Sequence, residues 1–388
     1  MATVMDIVNK DFPILSRFMR NGQAEGLTID GSNALFTQQE DGAPPSLKHY
    51  FANDETDAII QHNIRWARGK EKKPRFQFAY LMLPTACNQS CSGCFMGQDK
   101  NKLPPHLDGP FFTQDELLVS LQFLREHGAS SVVYGGGGEL FTWKGAFDYL
   151  EAISACGLKP VIFTNGTLLS RDDLFRLDSL GATLIISLRD TTEALHNGVV
   201  KCNGFRSTLS TIEHALEAGM NLDRRLAVEV PVTVNNEERI LNDFLPVMRA
   251  LNIVPMVEEY IQLSVSDEER RLSHNFDQAR SFFERLCECD RHMGLCWRPE
   301  RGSRMIAQPQ CRRPLYSFAI FPSRDVLDCP SHSTVYGNLN TSSLEDIIYG
   351  EAYKKNILNF ELCACSVFYT HAQSEVPDNL PQHLAVFR

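Results

Sequence analysis

From residue 76 onward the chain keeps two alternating beats. Phe76-Gln77-Phe78-Ala79-Tyr80-Leu81-Met82-Leu83 is an almost unbroken apolar run that stops at Pro84, the pattern of a buried strand. Apolar positions then recur at helical spacing over 113–127, where Thr113 and Glu116 form a capping box. Ser131-Val132-Val133-Tyr134 reads as the next strand and runs into four glycines. The beat repeats as helix 143–156, strand 160–164, helix 171–180, strand 183–188, helix 206–218, strand 226–234, helix 237–251 and strand 253–260, with a last long helix over 273–292. Such alternation predicts parallel βα units, because parallel strands need crossover helices that bury both faces of the sheet. The run Ala182-Thr183-Leu184-Ile185-Ile186 fits that burial. Six units are too few to close an eight-stranded barrel, so the expectation is an open, partial barrel with its chemistry at the C-terminal ends of the strands.

The flanks read differently. Residues 1–75 form an N-terminal segment. Ile7, Ile14, Leu15 and Phe18 suggest a helix over 6–20, the Gly-, Asn-, Asp- and Gln-rich stretch 22–45 a loop or short hairpin, and 54–70 a second helix. The core spans 76–300. Beyond Pro299 the alternation stops. Residues 301–370 read as a small α+β module carrying several cysteines, and 371–388 as a polar, proline-containing tail lying on a surface.

Charge and composition narrow the function. A net charge of −10 argues against a broad electrostatic grip on nucleic acid, whose phosphates attract Lys and Arg. The basic run over 68–75 reads as a solvated linker. The opening MATVMDIVNKDF has no charged region followed by an apolar run, and no uninterrupted apolar stretch reaches membrane-spanning length. The expectation is a soluble cytoplasmic protein with no membrane or nucleic-acid partner. In a reducing compartment, twelve cysteines point to metal or catalytic use rather than disulfides.

The densest cysteine group is Cys87-Asn88-Gln89-Ser90-Cys91-Ser92-Gly93-Cys94, in the loop after the first core strand. Structural zinc calls for four ligands, usually as two close pairs. Three thiolates within eight residues instead suit three corners of a cubane iron–sulfur cluster, leaving one iron open to an exogenous ligand. This CxxxCxxC triad, so placed, resembles the hallmark of the radical S-adenosylmethionine (SAM) superfamily over roughly 76–300. Gly93 departs from the aromatic residue common before the third cysteine, and Phe95 stands just after it. The resemblance implies a partial (β/α)6 TIM-like barrel. It also implies a [4Fe–4S] cluster on Cys87, Cys91 and Cys94 that binds SAM and cleaves it reductively, with a reducing partner such as flavodoxin or ferredoxin.

Other motifs follow in the order of that family. Gly137-Gly138-Glu139 resembles its GGE motif for the SAM amino group, with Leu140 where proline is usual. The glycine run lacks the Gly-Lys-Ser/Thr of a phosphate loop. Thr164-Asn165-Gly166 resembles TNG, although Asn-Gly alone is a common turn. By the resemblance, Ser187 and Arg189 serve the SAM ribose and carboxylate, and an arginine suits a bidentate carboxylate contact. His196 and Gly204-Phe205 echo a further family segment, with no role assigned to His196. Thr233 and Asn235 end the fifth strand beside the expected site.

Cys311, Cys329, Cys363 and Cys365 resemble the twitch module, a shortened SPASM extension that implies one auxiliary [4Fe–4S] cluster. The last pair is CxC where CxxC is usual, the family glycine is replaced near Arg324, and Cys287, Cys289 or Cys296 are substitute ligands. A zinc site or free buried thiols is the competing reading. Cys156 reads as a core residue, and Cys202 as structural or as a hydrogen-atom donor. Glu258, Glu259 and Tyr260 end the sixth strand, where they would meet a polar or cationic substrate or form a solvated loop. Three functions follow from this pattern. The first is hydrogen abstraction from a small natural-product intermediate of sugar or aminocyclitol type, giving oxidation or epimerisation. The second is maturation of a ribosomal peptide, with 1–75 binding a leader. The third is a non-catalytic zinc or iron–sulfur protein.

Overall fold

In the computed structural model the described residues are 4–20, 23–24, 54–92, 94, 109–135, 137–260, 272, 274–293, 312–330 and 334–360. The N-terminal segment begins with helix Val4–Asp11, and Pro13 opens a separate 3-10 turn, Pro13–Phe18. The single helix expected over 6–20 is therefore split, because proline lacks the N–H that would continue it. A minimal hairpin, β1 (Met19–Arg20) with β2 (Gln23–Ala24), follows. Arg17 pairs with Glu213 at 3.0 Å and with Glu217, which fastens this segment to helix Phe205–Glu217.

The core strands are β3 (Phe78–Leu81), β4 (Ser131–Tyr134), β5 (Lys159–Thr164), β6 (Thr183–Ser187), β7 (Leu226–Val232) and β8 (Val254–Glu259). They pair in parallel, each beside the next in sequence, with Tyr80 opposite Val133, Ile162 opposite Leu184 and Ile186 opposite Val228. Val132, Val133, Leu184, Ile185 and Ile186 are fully buried, as expected of parallel strands covered on both faces. The capping box forms as expected: the Thr113 hydroxyl accepts from the Glu116 N–H, and the Glu116 carboxylate accepts from the Thr113 N–H.

The sheet does not close. It continues beyond β3 with β9 (Ala319–Ile320), β10 (Asp325–Leu327) and β11 (Val335–Asn338), giving nine strands in the order β11-β10-β9-β3-β4-β5-β6-β7-β8. β9 runs parallel to β3, with Tyr80 opposite Ala319, and β9, β10 and β11 form an antiparallel meander. The C-terminal cysteine-bearing segment thus extends the core sheet. Arg324 anchors it. This residue takes φ +71, the conformation that glycine favours. Its guanidinium donates to both oxygens of Glu116 at 2.9 Å and to the carbonyls of Pro110, Phe111 and Pro322. This pairing holds the Glu116 carboxyl down to about 2.

Two departures matter for the site. Helix 237–251 is broken by a π-turn at Ile240–Phe244, just before Pro246, whose missing N–H a regular helix could not accommodate. An unexpected helix, Glu193–Val200, lies between β6 and helix Phe205–Glu217 and ends on Lys201 at φ +58. Outside the barrel, helix Phe276–His292 is clamped to helix Leu245–Ala250 by a bidentate Arg249–Asp290 pair at 2.9 and 2.6 Å, with side chains 3% and 0% exposed.

Candidate active site

Three loops leave the C-terminal ends of β3, β4 and β5, and side chains join them into one network. The cysteine loop meets the glycine loop where the Glu139 N–H donates to the Ala86 carbonyl at 2.9 Å. The Thr85 hydroxyl donates to the Gly137 carbonyl at 2.7 Å and also meets the Tyr134 hydroxyl. A Cβ on Gly137 would lie 2.6 Å from the Leu83 carbonyl oxygen, and Gly138 takes φ +108. The first position excludes a side chain by contact, the second by conformation.

The glycine loop meets the third loop through Glu139. Its buried carboxylate accepts from the Thr164 hydroxyl at 2.8 Å, the Asn165 N–H at 2.8 Å and the Phe141 N–H at 3.3 Å. Burial pushes this carboxyl up to about 7, against the pull of those three donors. The third loop returns to the cysteines: the Asn165 amide donates to Asn88 Oδ1 at 2.8 Å, and the Asn88 amide donates to Thr167 Oγ1 at 2.7 Å. The turn itself is held by the Thr167 N–H on Asn165 Oδ1 at 2.9 Å, with Gly166 at φ +73.

The Glu193–Val200 helix supports the other side. Its last carbonyls accept from the cysteine loop, Val199 from the Ser92 N–H at 2.9 Å and Val200 from the Ser90 N–H at 3.4 Å. His196, fully buried, accepts from the Arg189 N–H at 3.2 Å through Nδ1, and Asn197 Oδ1 accepts from the N–H groups of Gly204 and Phe205 at 3.0 Å. Burial, with the Arg189 charge, holds the His196 imidazole down to about 4. The histidine left without a role in the sequence therefore positions Arg189. The sequence signal was its echo, with Gly204-Phe205, of a family segment, and the helix that carries it is too short and too mixed in polarity to register.

Electrostatics bring the thiols and charged groups together. Cys87 is pushed up to about 11 by burial, with Glu139, Cys91 and Cys94 adding to the rise. Cys91 is raised by burial and by Cys94 and Cys202, and lowered by Arg189. Arg189 lies deep in the protein. Burial opposes its charge, but Glu229, Cys91, Cys94 and Glu258 raise its pKa. The Ser187 hydroxyl donates to Glu229 at 2.5 Å. Three half-buried thiols close together, two of them within charge range of Arg189, suit a cationic iron cluster by their chemistry. Among the described residues no trio of His, Cys, Asp or Glu side chains stands at metal-ligand spacing. The donor set fits the cluster by its chemistry, three thiols on one short loop within charge range of one another.

The other expected residues scatter. Thr233 and Asn235 belong to a turn closed by Asn236 Oδ1, which accepts from the Thr233 N–H at 2.8 Å, and Asn235 is exposed. Cys156 caps the end of helix Ala146–Ala155, and Cys202 lies within charge range of Cys91. Cys329 follows β10 and acts on Tyr336. Cys287 and Cys289, on helix Phe276–His292, face Asp290, Glu288, Arg291 and Arg285 instead. Cys311, Cys363, Cys365, Cys296 and Phe95 lie outside the described residues.

Residues 82–240 match the family model of the radical SAM superfamily. The chain carries a radical SAM domain. The superfamily uses a [4Fe–4S] cluster and SAM. Solved radical SAM structures share the fold. The anSMEcpe structure with bound AdoMet and Cp18Cys peptide superposes with a TM-score of 0.53 at 13% identity, covering 72% of this chain and 81% of that one. Streptococcus suis SuiB bound to its precursor peptide SuiA gives 0.56 at 14% identity, covering 80% and 75%. SuiB bound to S-adenosylmethionine gives 0.57 at 15% identity, covering 82% and 74%. No curated protein matches the sequence. Among the described residues no helix is long and apolar enough to cross a membrane.

Proposed function

We propose that Cys87, Cys91 and Cys94 hold the SAM-binding cluster and that the chain acts on a small natural-product intermediate of sugar or aminocyclitol type, by oxidation or epimerisation. The observation that carries the site assignment is the hydrogen-bonded ring joining Ala86 and Asn88 to Glu139 and Asn165, which sets all three motif loops around one space. The bound cluster and SAM supply a one-electron cleavage whose product removes hydrogen from an unactivated C–H bond. The protein's part is positioning. The Gly137 and Gly138 backbone, with Thr164 and Asn165, lines the loop ends that receive the SAM amino group and adenosine. Arg189 takes the SAM carboxylate and Ser187 the ribose. Glu139, its oxygens turned to Thr164, Asn165 and Phe141, acts as the brace for these loops.

A small substrate is favoured because charged side chains at the ends of β6 to β8 lie deep in the protein, and because the described N-terminal residues are engaged with the barrel helices through Arg17. The competing substrate is a peptide, as in the anSMEcpe and SuiB complexes. Cys329, with Cys311, Cys363 and Cys365, is the proposed ligand set of an auxiliary cluster, which would accept an electron from a substrate radical. A flavodoxin or ferredoxin would supply the reducing equivalent.

The test is anaerobic reconstitution with iron and sulfide, followed by reduction in the presence of SAM. Formation of 5′-deoxyadenosine supports the reading; a colourless, zinc-loaded protein inert toward SAM refutes it. Mass spectrometry with small-molecule and peptide candidates then separates the substrates. Loss of two hydrogens marks oxidation or crosslinking, and deuterium uptake from heavy water without net oxidation marks epimerisation.

A further inference from the structure

The SAM-directed loops occupy the ends of β3 to β6 and leave the ends of β7 and β8 for another ligand. Glu229 on β7 and Glu258 on β8 stand there together. In the β7–β8 register Glu229 is opposite Met256 and Pro231 opposite Glu258, so the alternation of side chains puts both carboxylates on one face. Ser187 is opposite Glu229 in the β6–β7 register and donates to it, which extends that face toward Arg189. Glu259 points to the other face.

The two carboxylates are not equivalent. Glu229 has the Ser187 hydroxyl. Glu258 receives no hydrogen bond and forms no ion pair with any described residue, and the charges acting on it are Glu229, Arg313 and Arg189. Both Glu258 and Arg189 lie deep in the protein, yet each keeps some accessible surface. Neither is sealed completely by the side chains around it. A deep carboxylate is ordinarily paired or hydrogen-bonded, because leaving it bare forfeits its solvation. No described residue makes that bond to Glu258, and a ligand can supply it.

We propose that Glu258, with Glu229 beside it, receives a cationic group of the substrate, an ammonium or guanidinium. This deepens the preceding reading and rests on it, since that reading assigns Arg189 to the SAM carboxylate and so leaves the two carboxylates with Arg313 as the remaining described cation acting on Glu258. Burial and the Glu229 charge push the Glu258 carboxyl up to about 8, so at neutral pH the empty site holds a proton. An incoming cation replaces that proton, which leaves to solvent, and the net charge of the site is unchanged. An anionic group would meet Glu229 across the same space.

The test uses the reconstituted full chain with SAM bound and three probes of one shape: butylammonium, butanol and butyrate. Ligand-observed NMR gives their relative affinities. The wild-type protein is expected to favour butylammonium over both others at least ~10-fold, Glu258→Asp to keep the preference, and Glu258→Gln to abolish it. Equal binding of the three probes by wild type overturns the proposal without recourse to any variant. So does a preference that survives in Glu258→Gln, which would place the cation elsewhere. 5′-Deoxyadenosine formation by the same preparation is an independent readout: SAM cleavage without cation preference sinks this proposal alone, and no cleavage sinks the reading beneath it.

Discussion

Glu139 separates two roles that its sequence context cannot. A carboxylate in a GGE motif is the natural partner for the SAM ammonium, yet here Oε1 faces Thr164 and Phe141 and Oε2 faces the Asn165 N–H. In Glu139→Gln, one of those oxygens becomes an NH2. If it faces Asn165, two donors oppose each other at the former 2.8 Å contact. If the amide flips, the Thr164 hydroxyl can rotate to accept, but the Phe141 N–H loses its acceptor. Either way one buried donor is left without a partner, which costs about 1–3 kcal/mol. That converts to about 5- to 150-fold faster exchange of the amides held in this turn, those of Asn165, Gly166 and Thr167. Amides of β6, such as Ile185, serve as the unperturbed reference. Exchange is measured on the apo protein, so no cofactor contact enters. SAM affinity of the reconstituted protein is measured separately and falls as well, because the loops lose their brace. A variant with wild-type exchange in the turn and weakened SAM binding would refute the bracing role and return Glu139 to a direct charge pair.

Further outcomes follow from the same geometry. Replacing Cys87, Cys91 and Cys94 with alanine abolishes 5′-deoxyadenosine formation, and iron analysis of the reconstituted wild type reads near eight per chain with an auxiliary cluster or near four without one. Asp290→Asn leaves Arg249 buried without its counter-ion and lowers stability by about 3–5 kcal/mol, read as an earlier denaturation midpoint, whereas a midpoint within error of wild type would mean the pair is not closed. Glu258 makes stability depend on pH. Its folded pKa, about 8, exceeds the reference value of 4.5, so between those values the folded state binds more protons and stability falls as pH rises. Glu258→Gln should flatten that slope in denaturation curves taken from pH 5 to 8.

Much of the fold was legible because both of its periods are strong. Each core strand from β3 to β8 was visible as an apolar run, since burial on both faces leaves no polar alternation to confuse it. Errors gathered where local chemistry overrides periodicity. Pro13 divides the N-terminal helix, Pro246 forces a π-turn, and helix Glu193–Val200 is only eight residues long, too short for its periodicity to stand out. The β9–β10–β11 extension was unreadable because it depends on pairing with β3, more than two hundred residues earlier in the chain. The site was half legible. The cysteine spacing and glycines carry their chemistry in their order. Asn88, Thr85 and His196 do not, because each acts through hydrogen bonds to residues distant in sequence or from an unpredicted helix.

Those three residues explain how a weakly matching sequence can keep a cofactor site. The motif residues specify which groups meet the ligand, but the spacing between strand ends is too coarse to orient them. Orientation comes from Asn88 reaching Asn165, Thr85 reaching Gly137, and His196 fixing the Arg189 backbone while its own helix supports Ser90 and Ser92. A side chain making one or two good hydrogen bonds is enough for this, and many residue types satisfy the same bond from different places. The bracing is therefore free to change where the contacting groups are not.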